Sequence, residues 1–162
     1  MSEILSEIFK HSRWANLGLV DFCARLDEAL LAAEPLAGGV YGPVQSTLRH
    51  IANAERRYLG WLANRPYTYL TAEGQPEPDL ETIRRSLAET GQEFVALAAE
   101  PPERQRARGL DPDDGEPYDV PASLLLVQAI NHASEHRAQV MVVLTQHGVE
   151  PPELDGWTYG EA

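Results

Sequence analysis

Two histidines, His132 and His136, stand four residues apart in the long apolar stretch 120–148. On an α-helix this spacing places both imidazoles within about 40° of each other on one face. Val140 and Val143 share that face, which predicts that it is turned toward a core. Imidazole nitrogens on a core-facing surface need polar partners, and metal ligands commonly stand at a His-x(3–5)-His spacing on one helix. The pair therefore predicts a metal site, with two ordinary core or surface histidines as the alternative.

A third ligand would have to come from another helix, and His50 is the candidate for it. This residue lies on the flank of the apolar arc of its own helix, beside Trp61, so its position alone is weaker evidence than the His132–His136 spacing. Three neutral imidazoles leave one or more coordination positions open, which is typical of catalytic metal sites. A metal in such a site lowers the pKa of a bound water or thiol and so produces a nucleophile near neutral pH.

The two remaining histidines are predicted to lie outside this site. His147 follows His136 by 11 residues, which is about 16 Å along a helix axis at 1.5 Å per residue. It is expected to be a last-turn residue that the helix dipole favours. His11, beside Trp14 in the first helix, is expected to be partly exposed.

Other chemistries fit these residues less well. The string from His132 to His136 matches the H-x-x-E-H pattern of inverted zinc proteases, in which Glu135 would be the general base. Such proteases need a further acidic ligand well downstream, and only 26 residues follow His136. Glu135 is therefore expected to face solvent or to support a ligand. The chain has no pair of Glu-x-x-His motifs for a ferritin-like di-iron site, and residues 111–115 lack the alternating ligands of a calcium-binding loop.

Helical segments separated by Pro and Gly must position the histidines. Apolar residues at three- and four-residue spacing predict four helices, over residues 2–31, 43–64, 79–100 and 121–148. Amphipathic helices bury their apolar faces against one another, so the predicted fold class is all-α, a four-helix bundle. About 14 residues connect the second predicted helix to the third, and about 20 connect the third to the fourth. Connections of this length permit crossovers, so a simple up-down-up-down order is not required.

Two smaller features are predicted outside the helices. A short pair of strands around residues 113–115 is weakly indicated by the Asp-Gly turn signal there. In the tail that follows Gly148, the aromatic residues Trp157 and Tyr159 are expected to pack back on the bundle.

The overall composition narrows the partners and the compartment. The chain has 162 residues, a formal net charge of −12 and a single cysteine, Cys23. Its length predicts one domain over residues 1–162, and its acidic balance argues against nucleic acid or an anionic membrane surface as partners. A cysteine without an internal partner and an N-terminus without a signal-peptide pattern predict a cytoplasmic protein. The last long helix is apolar on its far side as well, at Val127 and Val142 for example, which predicts a homodimer.

Several motifs are distributed along the whole chain. They are Trp14-Ala15-Asn16, then Leu48-Arg49-His50-Ile51 with Glu55, then Asn131-His132-x-x-x-His136-Arg137-x-Gln139, and the ending Gly148…Pro151-Pro152-x-Leu154-Asp155…Tyr159. Together these residues resemble the DinB-like family of DNA-damage-inducible bacterial proteins.

The resemblance implies a four-helix bundle with up-down-down-up connectivity and long crossover connections, often as a dimer. It also implies a divalent metal held by three histidines, which correspond to His50, His132 and His136 here. The better-understood branches of the family resemble transferases and isomerases that use low-molecular-weight thiols such as bacillithiol or mycothiol, while many members have no assigned reaction. Nothing in the resemblance or in the charge balance points to DNA contact.

The leading hypothesis from the sequence is a metal-dependent enzyme of the thiol S-transferase or hydrolase type. Zinc or nickel at the three histidines would activate either a thiol, for example a low-molecular-weight thiol co-substrate, or a water toward a small-molecule substrate. The candidate pocket residues are Trp14, Tyr58, Gln128 and Gln139, and no catalytic general base is assigned. The alternative is a non-catalytic stress protein in which a metal or a dimer interface serves binding or stability. An open coordination position favours the enzyme, whereas a fourth protein ligand favours a structural metal.

Overall fold

The computed structural model of the chain describes residues 2–36, 38, 41–71, 75–99, 106–111 and 115–162, with the side chain of Ser2 excepted. Helices dominate these residues. The elements in chain order are α1 (Ser2–Cys23), α2 (Glu28–Leu31), α3 (Val44–Ala63), α4 (Leu80–Ala99), β1 (Arg106–Leu110), β2 (Pro117–Pro121), α5 (Ala122–Gln146) and α6 (Gly156–Gly160).

The four long helices form a bundle in which α1 and α3 each pack against α4 and α5. The consecutive long helices α1 and α3 therefore lie diagonally, as the long connections in the sequence allow. One end of the core centres on Phe9 and Phe94, whose rings stack with their centroids 5.0 Å apart. The other end joins Leu48 and Ile51 of α3 to Val140 of α5. The predicted helical bundle is confirmed, and its up-down-down-up direction stays a prediction.

The first predicted helix is interrupted, so the prediction of one continuous helix over residues 2–31 is wrong. α1 ends at Cys23, and the short α2 begins again after Asp27. The side chain of Asp27 accepts a hydrogen bond from the backbone N–H of Leu30 at 2.8 Å, while its own backbone is extended. An aspartate that caps a new helix in this way competes with continuation of the preceding one.

The ends of the other helices agree closely with the sequence. Asn64 ends α3 in the left-handed conformation at φ 50°, and the Asp79 side chain accepts from the backbone N–H of Thr82 at 2.7 Å where α4 begins. Gly148, at φ 77°, follows the end of α5. Left-handed residues are common at helix ends, where their backbone N–H groups bond the last carbonyls. The Pro101-Pro102 stop after α4 lies outside the described residues.

A two-stranded antiparallel hairpin connects α4 to α5, and the weakly predicted strand pair is thereby confirmed. In its register Ala107 pairs with Val120 and Gly109 with Tyr118. Ala107 is buried against the bundle, so the hairpin covers one end of the core. Residues 112–114, which follow β1 and lie within the predicted strand pair, are outside the described part of the chain.

The tail confirms one prediction and corrects another. Tyr159 does pack back: its ring lies 5.4 Å from that of Trp14, and its hydroxyl donates to a carboxylate oxygen of Glu7 at 2.9 Å. Trp157 does not, because 86% of it is exposed. Asp155 caps α6 by accepting from the backbone N–H groups of Trp157 and Thr158. That cap fixes a short helix in which Tyr159 faces the bundle and Trp157 faces away.

The single cysteine, Cys23, is fully buried in the core. Burial raises the pKa of its thiol to about 12.

Within the described ranges, every helix is too short or too polar to be a membrane-spanning segment.

Candidate metal centre

Three histidine side chains meet between α3 and α5. His50 comes from α3, and His132 and His136 come from α5, with one potential ligand atom from each within 4.8 Å of the others. The Nε2 atoms of His50 and His132 are 3.0 Å apart. The three ring centroids are separated by 4.4, 4.6 and 4.9 Å. The structure thus brings together the three residues that the sequence proposed, while metal binding itself stays a prediction.

Local packing explains why His50 reaches the pair on α5. Its neighbour Ile51 is fully buried and shares one hydrophobic cluster with Ala133, which stands between the two α5 histidines. Alanine is small enough to let the two helices approach closely. His50 itself lies at the edge of that contact and is half-buried. The flanking position on α3, which weakened the sequence argument, is therefore the position from which a ring can reach the other helix.

The electrostatics of the cluster favour uncharged imidazoles. Burial lowers the pKa of His50 to about 4, with the nearby charges of His136, Arg57 and Arg49 acting in the same direction. Burial, followed by the charges of His136, His50 and Arg57, lowers the pKa of His132 to about 3. Both rings are neutral at physiological pH as a result. The neutral ring is the form that coordinates a metal.

The donor set fits a divalent transition metal. Zinc bonds histidine nitrogen at about 2.0–2.1 Å, so its ligand atoms lie within about 4.2 Å of one another. The three ligand atoms here lie within 4.8 Å of one another. Sub-ångström movements of the rings would bring them to the separation that zinc requires. Imidazole donors suit zinc, nickel, copper and iron more than calcium or magnesium. Among the described residues, no acidic side chain joins the three histidines as a fourth ligand.

Gln139 orients one of the three rings. Its side-chain carbonyl oxygen lies 2.8 Å from Nδ1 of His136 and 3.3 Å from the backbone N–H of Tyr41. An amide oxygen only accepts hydrogen bonds, so Nδ1 of His136 carries the proton. In the neutral form of the ring, the lone pair of His136 is then on Nε2. Hydrogen bonds of this kind commonly fix the tautomer of metal-binding histidines.

Two tyrosines cover the cluster from different sides. The ring of Tyr41 stacks on His50 at 4.2 Å and meets His136 edge-on at 5.3 Å. The buried Tyr58 lies edge-on to His132 at 5.8 Å. Tyr58 was proposed from the sequence, but Tyr41 was missed because it lies in a Gly-containing loop that has no periodicity. The signal that could have found it is an aromatic residue in a loop immediately before a ligand-bearing helix.

The other proposed pocket residues lie at different distances from the histidines. Gln128 is exposed, and its side-chain amide donates to the hydroxyl of Tyr58 at 3.5 Å. Trp14 instead contacts the rings of His11 and Tyr159 at the tail. Among the described residues, no ring contact with His50, His132 or His136 supports the proposal that Trp14 lines their pocket.

The remaining histidines and the nearby glutamate lie away from the cluster. Nε2 of His11 is 3.0 Å from the backbone carbonyl oxygen of Leu154, and Nε2 of His147 is 2.9 Å from that of Glu34. His147 therefore has a specific partner in addition to its place at the end of α5. Glu135 is exposed, as expected for a residue on the solvent side.

A buried polar network lies directly beside the cluster. Arg137, which follows His136, donates to the side-chain oxygen of Asn16 at 2.6 Å, and the amide of Asn16 donates to Glu55 at 2.8 Å. The other carboxylate oxygen of Glu55 accepts from the hydroxyl of Thr90. Burial raises the pKa of Glu55 to about 7 against these hydrogen bonds and the charge of Arg137. Burial also lowers the pKa of Arg137, to about 10, so it remains charged.

Comparison with known proteins gives a family and a fold. The sequence model of the DinB family matches residues 1–162. No curated protein matches the chain in sequence. The solved structure of YfiT from Bacillus subtilis is similar, with a TM-score of 0.65 and 16% sequence identity over 93% of this chain and 91% of that chain. YfiT is described as a probable metal-dependent hydrolase with an unusual four-helix bundle topology. At this identity the likeness shows the fold alone, and it confirms the predicted four-helix bundle.

Proposed function

The chain belongs to the DinB family, and on that premise we propose that it is a metal-dependent enzyme. His50, His132 and His136 would hold one divalent ion, zinc or nickel. The reaction would be the attack of an activated thiol or water on a small electrophile, in the manner of a thiol S-transferase or a hydrolase. The family resemblance supports the thiol branch, and the description of YfiT as a probable metal-dependent hydrolase supports the water branch.

The observation that carries this proposal is the convergence of three imidazoles from two helices. Their ligand atoms lie within 4.8 Å of one another, and Gln139 leaves Nε2 of His136 with its lone pair. Buried or half-buried polar atoms normally have partners of opposite character. The Nε2 atoms of His50 and His132, 3.0 Å apart, can share only one proton, whereas a divalent ion would take a lone pair from each of the three rings.

The chain's own residues would prepare the site for a substrate. Gln139 holds the proton of His136 at Nδ1, and Tyr41 and Tyr58 place aromatic rings against the histidines. These rings shield the imidazoles from bulk water while leaving the outer side of the 45% exposed Tyr41 in contact with solvent. When bound, a divalent ion with an open position would lower the pKa of a water or thiol so that a nucleophile forms near neutral pH.

Elemental analysis of the purified protein tests the metal. We expect about one metal ion per chain in the wild type and a near-complete loss in His132→Ala, because two remaining imidazoles bind weakly. His147→Ala is the matched control, since it removes the histidine directly after the same helix, whose ring bonds the backbone carbonyl of Glu34 instead. Equal metal content in the wild type and His132→Ala would remove the proposed site.

An activity assay separates the two nucleophiles. The zinc-loaded protein is mixed with 1-chloro-2,4-dinitrobenzene and cysteine for the thiol branch, or with p-nitrophenyl acetate for the water branch. Turnover above that of His132→Ala in either assay supports an enzyme and identifies the nucleophile. No excess turnover in either assay would favour the second candidate, a non-catalytic protein that binds a metal for stability or for partner binding.

Chelation distinguishes the second candidate further. The exposed side of the cluster and the absence of a fourth acidic ligand among the described residues favour an open site. The protein should then keep its helical circular dichroism spectrum when EDTA removes the ion, because the apolar core holds the bundle. Loss of the fold on chelation would support a structural metal.

We also propose that the protein is a homodimer with small-molecule partners, placed in the cytoplasm, without nucleic-acid or membrane partners. Leu124, Val127 and Val142 are exposed on one side of α5 and support the dimer, because an exposed apolar helix face is commonly an interface. Multi-angle light scattering that gives a strict monomer at micromolar concentration would contradict it.

A further inference from the structure

A cavity lies at the C-terminal end of α3, where the β-hairpin meets the bundle. Its volume is about 380 Å³, within the usual range for small-molecule pockets. It is separate from the three-histidine cluster, since none of its lining residues is a histidine. The lining residues are Trp61, Asn64, Arg65, Pro66, Tyr67, Gly109, Leu110 and Tyr118.

Flat aromatic rings form the walls of this cavity. The indole of Trp61 on α3 stacks on the ring of Tyr118 on β2, with centroids 4.5 Å apart and planes inclined by 20°. Two glycines allow the tyrosines to lie where they do. A Cβ on Gly109 would lie 2.7 Å from the hydroxyl of Tyr118, and a Cβ on Gly60 would lie 2.7 Å from the ring of Tyr67. Because Tyr118 stacks on the Trp61 ring and the guanidinium of Arg57 also lies over that ring, a planar ligand would meet these side chains at their edges.

Arg65 brings a positive charge to the lining of the cavity. The chain has a formal net charge of −12, and Arg65 is the one charged residue that the described part of the chain places in the lining. One of its N–H groups donates to the carboxylate of Glu93, so a ligand would bind the remaining N–H groups of the guanidinium. A second cation, Arg57, lies with its guanidinium carbon 5.5 Å from the centroid of the Trp61 ring. Arginine recognises carboxylates through a planar fork of N–H donors. The cavity therefore favours an anion within an otherwise acidic molecule.

One donor in the wall is left without an acceptor. The indole N–H of Trp61 is buried and has no hydrogen-bond partner among the described residues. Buried polar groups in native proteins nearly always have a partner, from the protein, from water or from a ligand. Because protein atoms cover this N–H, a ligand in the cavity would contact the carbon edge of the indole and not its nitrogen.

We propose that this cavity is a binding site for a small planar aromatic carboxylate. The aromatic part would lie against Trp61 and Tyr118, and the carboxylate would accept hydrogen bonds from Arg65. The site is separate from the metal centre and stands without it. The two are nevertheless close, because Tyr58 contacts the ring of Trp61 at 6.4 Å and that of His132 at 5.8 Å.

The test uses the indole signals of the full-length protein labelled with nitrogen-15. The chain has three tryptophans, and Trp61→Phe identifies the signal of Trp61. Titration with benzoate is expected to shift that signal saturably and to leave the signals of Trp14 and Trp157 in place. Benzamide, which has the same shape without the charge, is expected to bind about tenfold more weakly.

Two arginine variants test the anion contact. Arg65 forms an exposed ion pair with Glu93, and Arg84 forms a comparable one with Asp21 elsewhere on the bundle. Arg65→Gln is expected to weaken benzoate binding about tenfold, while Arg84→Gln leaves it unchanged. An equal effect of the two variants, equal binding of benzoate and benzamide, or no saturable shift of the Trp61 signal would each overturn the proposal. His132→Ala should bind benzoate as the wild type does, so a failure of the metal proposal is distinguishable from a failure of this one.

Discussion

Two groups of polar side chains lie side by side in the interior of the bundle and differ in how their hydrogen bonds are completed. In the network around Glu55, each carboxylate oxygen accepts a hydrogen bond, and Asn16 connects the carboxylate to Arg137. In the neighbouring cluster, the Nε2 atoms of His50 and His132 face each other at 3.0 Å. The first group contains opposite charges and donors matched to acceptors, whereas the second contains three groups of the same kind.

We propose that this difference separates a structural group from a functional one. A buried network that satisfies all of its members within the protein joins helices and has no capacity left for a ligand. In the histidine cluster, the 3.0 Å contact between His50 and His132 can hold only one proton, whereas a cation could take a lone pair from each ring. Perturbed pKa values of the kind seen for His50 and His132 are common at functional sites. The two groups should therefore respond differently to mutation, to metal and to pH.

The largest expected effect is on the free energy of unfolding, when Arg137, the cation of the network around Glu55, is removed. Arg137→Met should lower the free energy of unfolding by about 3–5 kcal/mol, because it leaves the buried Glu55 carboxylate without a compensating charge. Urea denaturation measures this change. Arg84→Gln, which breaks an exposed ion pair with Asp21, is the control and should cost about 1 kcal/mol or less. A similar small cost for Arg137→Met would show that the network is not structural.

Metal addition should act only through the cluster. Zinc at about 100 times its dissociation constant is expected to raise the free energy of unfolding by about 2.7 kcal/mol. The increase should appear in the wild type and in His147→Ala and be absent in His132→Ala, because only the last variant lacks a proposed ligand. Thermal unfolding with and without zinc measures it. Equal stabilisation of all three proteins would place the zinc elsewhere.

The pH dependence should come from Glu55 within the network. Its folded-state pKa of about 7 lies above its ordinary value of 4.5, so the folded protein binds the proton more tightly than the unfolded chain. The stability from this group is present below pH 4.5 and is lost as the pH rises toward about 7, at no more than about 1.4 kcal/mol per pH unit.

Comparison with Glu55→Gln isolates that contribution, because the depressed pKa values of His50 and His132 act in the opposite direction in both proteins. The stability of the wild type relative to Glu55→Gln should fall between pH 4.5 and about 7. Arg137 stays charged in this range. Urea denaturation at several pH values checks the sign, and parallel profiles of the two proteins would contradict it.

The smallest expected effect is on metal affinity, when the glutamine that hydrogen-bonds the proposed ligand His136 is removed. Gln139→Ala should weaken metal affinity about tenfold, because His136 loses the acceptor that fixes its tautomer. Competition with a zinc-binding dye measures the affinity. Gln146→Ala is the matched control, since Gln146 on the same helix accepts a hydrogen bond from the backbone N–H of Leu36 and from no histidine. Unchanged affinity in Gln139→Ala would leave that glutamine outside the metal centre.

The helices could be predicted where one face is continuously apolar. The errors lie where a single capping side chain determines where a helix begins or which way it faces. The apolar period of α1 continues through Leu26 into α2, so periodicity alone does not show the break that Asp27 makes. In the tail, Trp157 and Tyr159 are both aromatic, and only the cap at Asp155 determines which one faces the bundle. Capping is a local hydrogen bond and leaves little trace in a hydrophobicity pattern.

Of the site, only the part that lies on a single helix could be predicted from residue spacing. His132 and His136 share a face of α5 because of their spacing, which the sequence prints directly. The approach of His50 depends on how α3 and α5 pack, which local patterns do not determine, and the family resemblance supplied it. The contact of Tyr41 with Gln139 and His50 depends on a loop conformation and was not foreseen.

The burial of Cys23 allows separation of the helices to be measured by labelling the natural cysteine. A thiolate reacts with a disulfide reagent, and a thiol with a pKa of about 12 inside the core is both unreachable and protonated. Labelling of the native protein by such a reagent therefore has to wait until the helices separate. Because the chain has one cysteine, each molecule can be labelled once, and the labelling rate gives the frequency of that separation without any engineered probe.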